Sequence, residues 1–466
     1  MVQVAGKSGN SSIVLHRAAE LWHVTSGPGS SGSSGPLHSS GTIRRGRLGD
    51  RFRFEAISDV GLAVDESTGR IIEASAFSAA KARHPGARVI DHGDGIILPG
   101  FIDGHLHFPQ LDAMGSHGKH LMQWLDTFIF PAEARFSEPS VAKSTAARFT
   151  KELAANGVTM SVAFSSVHPV AADVLFDAFE KSGLRAVVGK TSMDVNAPAS
   201  VLLECSADIE AQELLIKKWH GRHGRLFYAV TPRFVLTSSP TQMKALADLH
   251  RRHPDTFIQT HISECEGELA SVAAAFPNAR DYLSIYEDYG LINDRTLLGH
   301  GIWLTDSERE RVAGWGATVV HCPTSNAFLG SGLLDLKKTC DAGIEVALGS
   351  DIGAGTSLSP WATMLEAYKV QALRSQPLEP EALLYLATLA GAEALHMDAD
   401  IGSLEAGKFA DFQVISFSKK PLLAERAACT RSAAERLFAT VVHGDDRLLK
   451  KLYVGGQCRV DVEHGN

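Results

Sequence analysis

The hydrophobic pattern changes character along the chain. From about Arg51 short alternating stretches dominate. RFRFEA alternates polar and apolar residues, as a half-buried strand does, and GLAVDESTGRIIEAS sets two apolar runs around a Ser/Thr/Gly turn, a hairpin signal. Beyond Pro99, short and nearly continuous apolar runs alternate with amphipathic stretches such as SVAKSTAARFTKELAANG. The runs lie at 96–107, 158–167, 184–193, 226–232, 257–263, 296–301, 317–322 and 344–351. Apolar strands alternating with helices predict a parallel sheet, and eight such units predict an α/β fold of the (β/α)8 TIM-type barrel class. Strand character returns around glycine turns in GSLEAGKFADFQVISF and KKLYVGGQCRVDV. The two flanks are therefore expected to pair into a small β-sandwich domain. The expected organisation is a barrel over 98–394 and a β-domain from 42–97 plus 395–460. The run SGPGSSGSSGPLHSSG at 26–41 cannot build a core, so residues 1–41 are expected to be a flexible leader. The arginines at 44, 45, 47, 51 and 53 read as the solvated start of the folded region.

Length alone, 466 residues, would allow three domains of roughly 150 residues each; the eight-unit pattern replaces that with one large barrel. Lys and Arg number 45 against 53 Asp and Glu, a net charge of −8. This makes the chain a poor candidate for phosphate-backbone binding, which needs clustered positive charge, so no nucleic-acid partner is expected. A small or neutral partner is more natural. The six cysteines form no C-x-x-C pair and read as reduced thiols of a cytoplasmic protein. No run of 18 apolar residues is present, so no membrane partner is expected.

Candidate chemistry collects at the ends of the apolar runs. His105 and His107 form H-x-H at the end of the first. Roughly one H-x-H is expected by chance among 20 histidines in 466 residues, so position carries the weight. Residues i and i+2 share one face of a strand, and the C-terminal rim of a barrel is where active sites sit. The fifth run ends at His261, with Glu264 three residues on; the sixth ends at His300 and the eighth at Asp351. Imidazoles and a carboxylate without thiolate suit a divalent metal, zinc above iron or manganese. Plainer readings stand beside these. Glu264 could be a surface acid favoured by a helix N-terminus, Asp351 a helix N-cap and His300 a satisfied core histidine. Arg233 could make a barrel-rim salt bridge, and Phe234 could be plain core. Cys322 in HCPTSN reads as a structural thiol rather than a nucleophile, and His117 and His120 as surface residues.

LPGFIDGHLH together with HISE, LGHG and GSD resembles the amidohydrolase superfamily, in its single-metal deaminase branch, over residues 42–460. FPQ, LMQWLDTFIFPAEARF, VGKTSMDVNAP, TPRFVLTSS, THISECEGE, HGIWL, HCPTSN and GSDIGAG narrow the likeness to members that act on guanine. The first 41 residues have no counterpart in it. The resemblance implies one zinc ion per subunit, bound by His105, His107, His261 and Asp351. It implies Glu264 as proton shuttle, with His300 and Asp351 as catalytic partners beside the nucleophilic water. Gln110, Arg233 and Phe234 would hold the purine, with His261, Glu264 and Asp351 also in contact with it. The implied reaction turns guanine and water into xanthine and ammonia, in purine catabolism or salvage, by a homodimer. The chemistry is consistent with the residue types: zinc lowers the pKa of bound water to about 7, one carboxylate can accept and return its proton, and an arginine fork can donate to O6 and N7 of guanine. Gln110 carries both donor and acceptor and could read a purine edge. Another aminopurine, a pterin or an amino-triazine remains an alternative substrate. A silent scaffold would be expected to lack ligands, and none of the four is missing.

Overall fold

The computed structural model describes residues 12–27, 47–118 and 121–462. The chain opens with β1 (Ile13–Ser26), β2 (Phe52–Asp65), β3 (Arg70–Ala76), β4 (Arg88–Asp91) and β5 (Ile96–Pro99). Then come β6 (Phe101–His107), β7 (Val158–Phe164), β8 (Arg185–Gly189), β9 (Thr191–Ser192), β10 (Leu226–Pro232), β11 (Phe257–Ile262), β12 (Thr296–His300), β13 (Thr318–His321) and β14 (Glu345–Leu348). It closes with β15 (Phe412–Ile415), β16 (Leu449–Val454) and β17 (Gln457–Asp461).

One sheet draws on both ends of the chain, in the order β17-β16-β15-β5-β1-β2-β3, with β4 beside β1. Its presence corrects the expectation of a leader over residues 1–41. β1 pairs with β2 from Ile13 opposite Asp65 to Ser26 opposite Phe52, and its other edge carries β4 and β5 in parallel. The cause lies in its composition: Leu15, Leu21, Trp22 and Val24 are fully buried. The Gly/Ser/Pro run follows a core strand instead of preceding the fold, and its residues 28–41 lie outside the described residues, as do Arg44 and Arg45. Arg51 is not a solvated residue either. It is buried, and its guanidinium donates to the Glu345 carboxylate at 3.0 Å and to the Ile344 and Cys340 carbonyls at 3.2 and 3.0 Å, tying this sheet to the base of β14. The layers of the expected sandwich come from this one sheet curling over its own core. The Ile71 N–H donates to the Lys408 carbonyl and the Ala410 N–H to that of Gly69, both at 2.8 Å, around Leu21, Leu62, Ile97 and Phe412.

The second sheet is the barrel, ordered β6-β7-β8-β10-β11-β12-β13-β14 with every neighbouring pair parallel, and β9 beside β10. Each expected run contains one barrel strand. The first run divides, giving β5 to the small sheet and β6 to the barrel. The break is at Gly100, where a Cβ would lie 2.2 Å from Thr159 Oγ1. The ring closes between β14 and β6 through the residues after β14: Asp351 N–H donates to the His105 carbonyl at 2.8 Å and His107 N–H to that of Ile352 at 2.7 Å. Ile102, Met160, Val187, Phe257, Leu297 and Val320 fill the interior beneath the rim, so the barrel is a packed core with its chemistry confined to one end. Helices such as Pro139–Ala155, which turns Ala142, Ala146, Phe149 and Leu153 inward, cover the outside. Among the described residues no helix is long and apolar enough to cross a membrane.

Candidate active site

The C-terminal rim brings together the residues expected there, by a device that simple alternation does not predict. Ile102 faces the barrel interior, and strict alternation from it would send His105 and His107 outward. Between Asp103, opposite Ser161, and Leu106, opposite Ala163, β6 carries one residue more than β7. This bulge shifts the alternation and turns both imidazoles into the mouth, as bulges beside active sites commonly do. Two glycines make room for the His105 ring. A Cβ on Gly299 would lie 2.7 Å from His105 Cε1, and one on Gly349 would lie 2.8 Å from His105 Cβ. Ser263, His300 and Asp351, at or just past the ends of β11, β12 and β14, have φ of 51°, 71° and 52°. Three non-glycine residues in the left-handed region at one rim mark backbone strain spent on aiming side chains.

The ligand atoms of His105, His261, His300 and Asp351 lie within 4.8 Å of one another. His107 joins them: its Nε2 is 3.1 Å from His261 Nε2 and 3.3 Å from Asp351 Oδ1. His105 Nε2, 3.4 Å from the same oxygen, is buried with no hydrogen-bond partner among the described residues. His261 Nδ1–H donates to the Arg233 carbonyl at 2.6 Å, which leaves Nε2 as a bare lone pair facing His107. Burial pushes His105 down to about 4, His107 below its ordinary value and His261 well below, so these rings are the neutral imidazoles a metal requires. Burial opposes the charge on Asp351, but the imidazoles of His105 and His107 close beside it prevail and hold its carboxyl well below the usual range. Converging imidazole nitrogens around one ionised carboxylate fit a divalent cation.

Glu264 stands at the edge of this cluster. It is buried, which removes the surface-acid reading, and burial raises its carboxyl to about 7 despite the opposing charge of His300. Its Oε2 is 3.6 Å from His300 Nε2, and its Oε1 accepts from Ser331 Oγ at 3.0 Å. His300 Nδ1–H donates to Asn326 Oδ1 at 2.9 Å, aiming Nε2 at Glu264 and at Asp351 Oδ2, 3.8 Å away. The Glu264 N–H donates to Glu268 at 2.7 Å, and Glu268 also accepts from Tyr282 at 2.7 Å. Sequence reasoning missed Asn326, Ser331 and Glu268, although the first sits in HCPTSN and the last in THISECEGE. Cys322 lies in the barrel-core cluster, fully buried, with its thiol pushed well up by burial. His117 is exposed, and His120 is outside the described residues.

The opposite wall is Gln110, Arg233 and Phe234. With Leu121, Trp124 and Leu125 they line the cavity, open to solvent, into which His107, His261, Glu264, His300 and Asp351 also open. Gln110 follows β6 in the turn Phe108–Ala113, and Arg233 and Phe234 follow β10. Arg233 makes the salt bridge and also lines the cavity: its Nη1 donates to both carboxylate oxygens of Glu133 at 2.8 Å. Phe234 likewise lines the cavity while packing into the main core. Glu133 is 1% exposed and went unnoticed in the sequence, where it is one acid inside LMQWLDTFIFPAEARF.

The barrel, the candidate metal cluster at its rim and the sequence itself agree on the class: the chain matches the Amidohydrolase family over residues 96–458 and belongs to it. Within that family it is similar to guanine deaminases. The guanine deaminase of Escherichia coli strain K12 is 39% identical over 370 residues, 79% of this chain and 84% of that protein; a solved structure of E. coli guanine deaminase superposes with a TM-score of 0.88, covering 97% of this chain and 99% of that one at 34% identity. A probable guanine deaminase of Deinococcus radiodurans is 37% identical over 409 residues, covering 86% and 93% of the two chains. The structure of the guanine deaminase from C. acetobutylicum with bound guanine in its active site has a TM-score of 0.84 at 29% identity, covering 96% and 99%.

Proposed function

We propose that the protein catalyses the hydrolytic deamination of guanine to xanthine and ammonia, with one zinc ion per subunit. The observation that carries this reading is one cavity shared by a neutral-imidazole and carboxylate cluster, a buried glutamate beside it, and an opposite wall of arginine, glutamine and phenylalanine. The relatives named above, and the guanine held by one of them, support the choice of base.

His105, His107, His261 and Asp351 would hold the ion. Bound there, zinc supplies Lewis acidity that lowers the pKa of water from 15.7 to about 7. The chain's own residues do the rest. Arg233 donates toward O6 and N7 of the base, Gln110 meets its edge and Phe234 offers an apolar face. Glu264 takes one proton from the water as its oxygen bonds to C2 and passes it to N3. It then takes the remaining hydroxyl proton and delivers it to the amine. The C2–N bond breaks, ammonia leaves and the oxygen stays as the C2 carbonyl. His300 and Asp351 flank the tetrahedral carbon and balance its charge.

The same reading has the enzyme working as a homodimer in the cytoplasm, in guanine catabolism or salvage. Metal content and guanine turnover measured on one sample test the core of it. About one zinc per subunit with loss of the guanine absorbance is expected. Zinc-loaded protein inert toward guanine, or full activity without metal, overturns it.

A further inference from the structure

Behind the wall that faces the base, one buried carboxylate holds two of its residues at once. Glu133 lies in the short helix Phe130–Ala134, one hundred residues from Arg233 in sequence. Its Oε1 accepts from Gln110 Nε2 at 2.8 Å as well as from Arg233 Nη1, and its Oε2 accepts from Arg233 Nη1 again. The other end of Gln110 is fixed too, because its Oε1 accepts from the Gly353 N–H at 3.1 Å.

A carboxylate can only accept and a backbone N–H can only donate. The Gln110 amide therefore has one possible orientation: flipping it would set oxygen against the Glu133 carboxylate and N–H against the Gly353 N–H. Arg233 Nη1 is likewise committed to Glu133, sharing its donor between the two carboxylate oxygens, while Nε and Nη2 carry three more N–H groups. The guanidinium also lies over the Phe130 ring, 5.5 Å from its centroid. The fork is thus preset as a row of donors, and its charge is compensated by Glu133. A preset donor fork accepts a base with two acceptors on one edge, as a 6-oxopurine has at O6 and N7, and rejects one with a donor there. Compensated charge favours a neutral base over an anionic one.

Resting on the reading that the pocket deaminates guanine, we infer that Glu133 is a positioning residue that sets specificity: by orienting Arg233 and Gln110 together it makes the enzyme select 6-oxo over 6-amino purines. It need not touch the substrate to do so.

Glu133→Gln is the test. A glutamine there removes the charge and puts an N–H donor against Arg233 Nη1 where Oε2 accepted, so it can no longer hold the arginine as the carboxylate does. Steady-state kinetics of wild type and variant are compared on guanine and on 2,6-diaminopurine, which replaces the 6-oxygen by an amino donor. The variant should raise KM for guanine about tenfold or more while kcat moves less. The ratio of kcat/KM for guanine to that for 2,6-diaminopurine should fall at least about tenfold. Glu133→Asp, which keeps the charge and both acceptors, should recover part of that ratio, and it carries the test alone if the glutamine variant does not fold. An unchanged ratio with uniformly lowered activity would make Glu133 a structural residue only and overturn the inference. A wild type inert toward guanine would overturn the functional reading and the inference with it, so the two failures are told apart in one assay.

Discussion

The two walls of the cavity are built by different means. The metal wall stands on strand ends. His261 pairs with Gly299 and Ile262 with His300 in the register of β11 and β12, so the sheet fixes where each ligand starts. The base wall stands on short helical segments such as Phe108–Ala113 and Phe130–Ala134 and on the two residues after β10, and a single buried carboxylate sets its geometry. One wall takes its precision from backbone pairing and the other from a side-chain network. Damage to the first should therefore cost chemistry, and damage to the second should cost affinity and choice of substrate.

The largest expected effect tests the first half of that contrast. Glu264→Gln keeps the shape and removes the base, so kcat should fall by about 10²–10⁴ while bound metal, read by elemental analysis, is unchanged. Near-normal turnover in this variant would remove Glu264 from the proton path. A smaller effect probes the other wall. Arg233→Lys keeps the charge but loses the planar fork, so kcat/KM for guanine should drop about 10–100-fold, mostly through KM. A loss confined to kcat would mean that this wall, too, acts on the chemical step. The smallest effect sharpens the role of the glycines. Gly299→Ala presses a methyl against the His105 ring, and overpacking of this kind costs about 1–3 kcal/mol in denaturant unfolding. Metal affinity should weaken by about tenfold through the displaced imidazole. Unaltered affinity would show that the ring has space to retreat.

The contrast also explains what could be read from the sequence. The eight barrel strands were legible because strands buried on both faces must be nearly continuously apolar. The metal wall was legible because a barrel rim converts the end of each run into a neighbour of the others. The pairing of His105 with His107 was legible, but the reason they face inward was not, since it depends on one extra residue between Asp103 and Leu106. Glu133, Asn326 and Ser331 were hidden because their meaning is tertiary: each is defined by a partner 26 to 100 residues away. β1 was missed for another reason. A low-complexity run drew the domain boundary on its wrong side, although IVLHRAAELWHVTS carries the apolar residues of a buried strand.

That misplaced boundary has a practical consequence. Ser26 and Phe52 are paired neighbours in the sheet, so the chain leaves the fold and re-enters it at almost the same point. Shortening the protein at residue 41 would not tidy an end; it would pull out the strand between β2 and β5 and open the sheet. Replacing the stretch between the two anchors is a different operation. Loop closure grows only slowly with length, by about 0.6 kcal/mol per doubling, so this junction is a natural port. A tag, a reporter or a second folded unit could be spliced in there, at the opposite end of the sequence's apparent logic from where one would first cut.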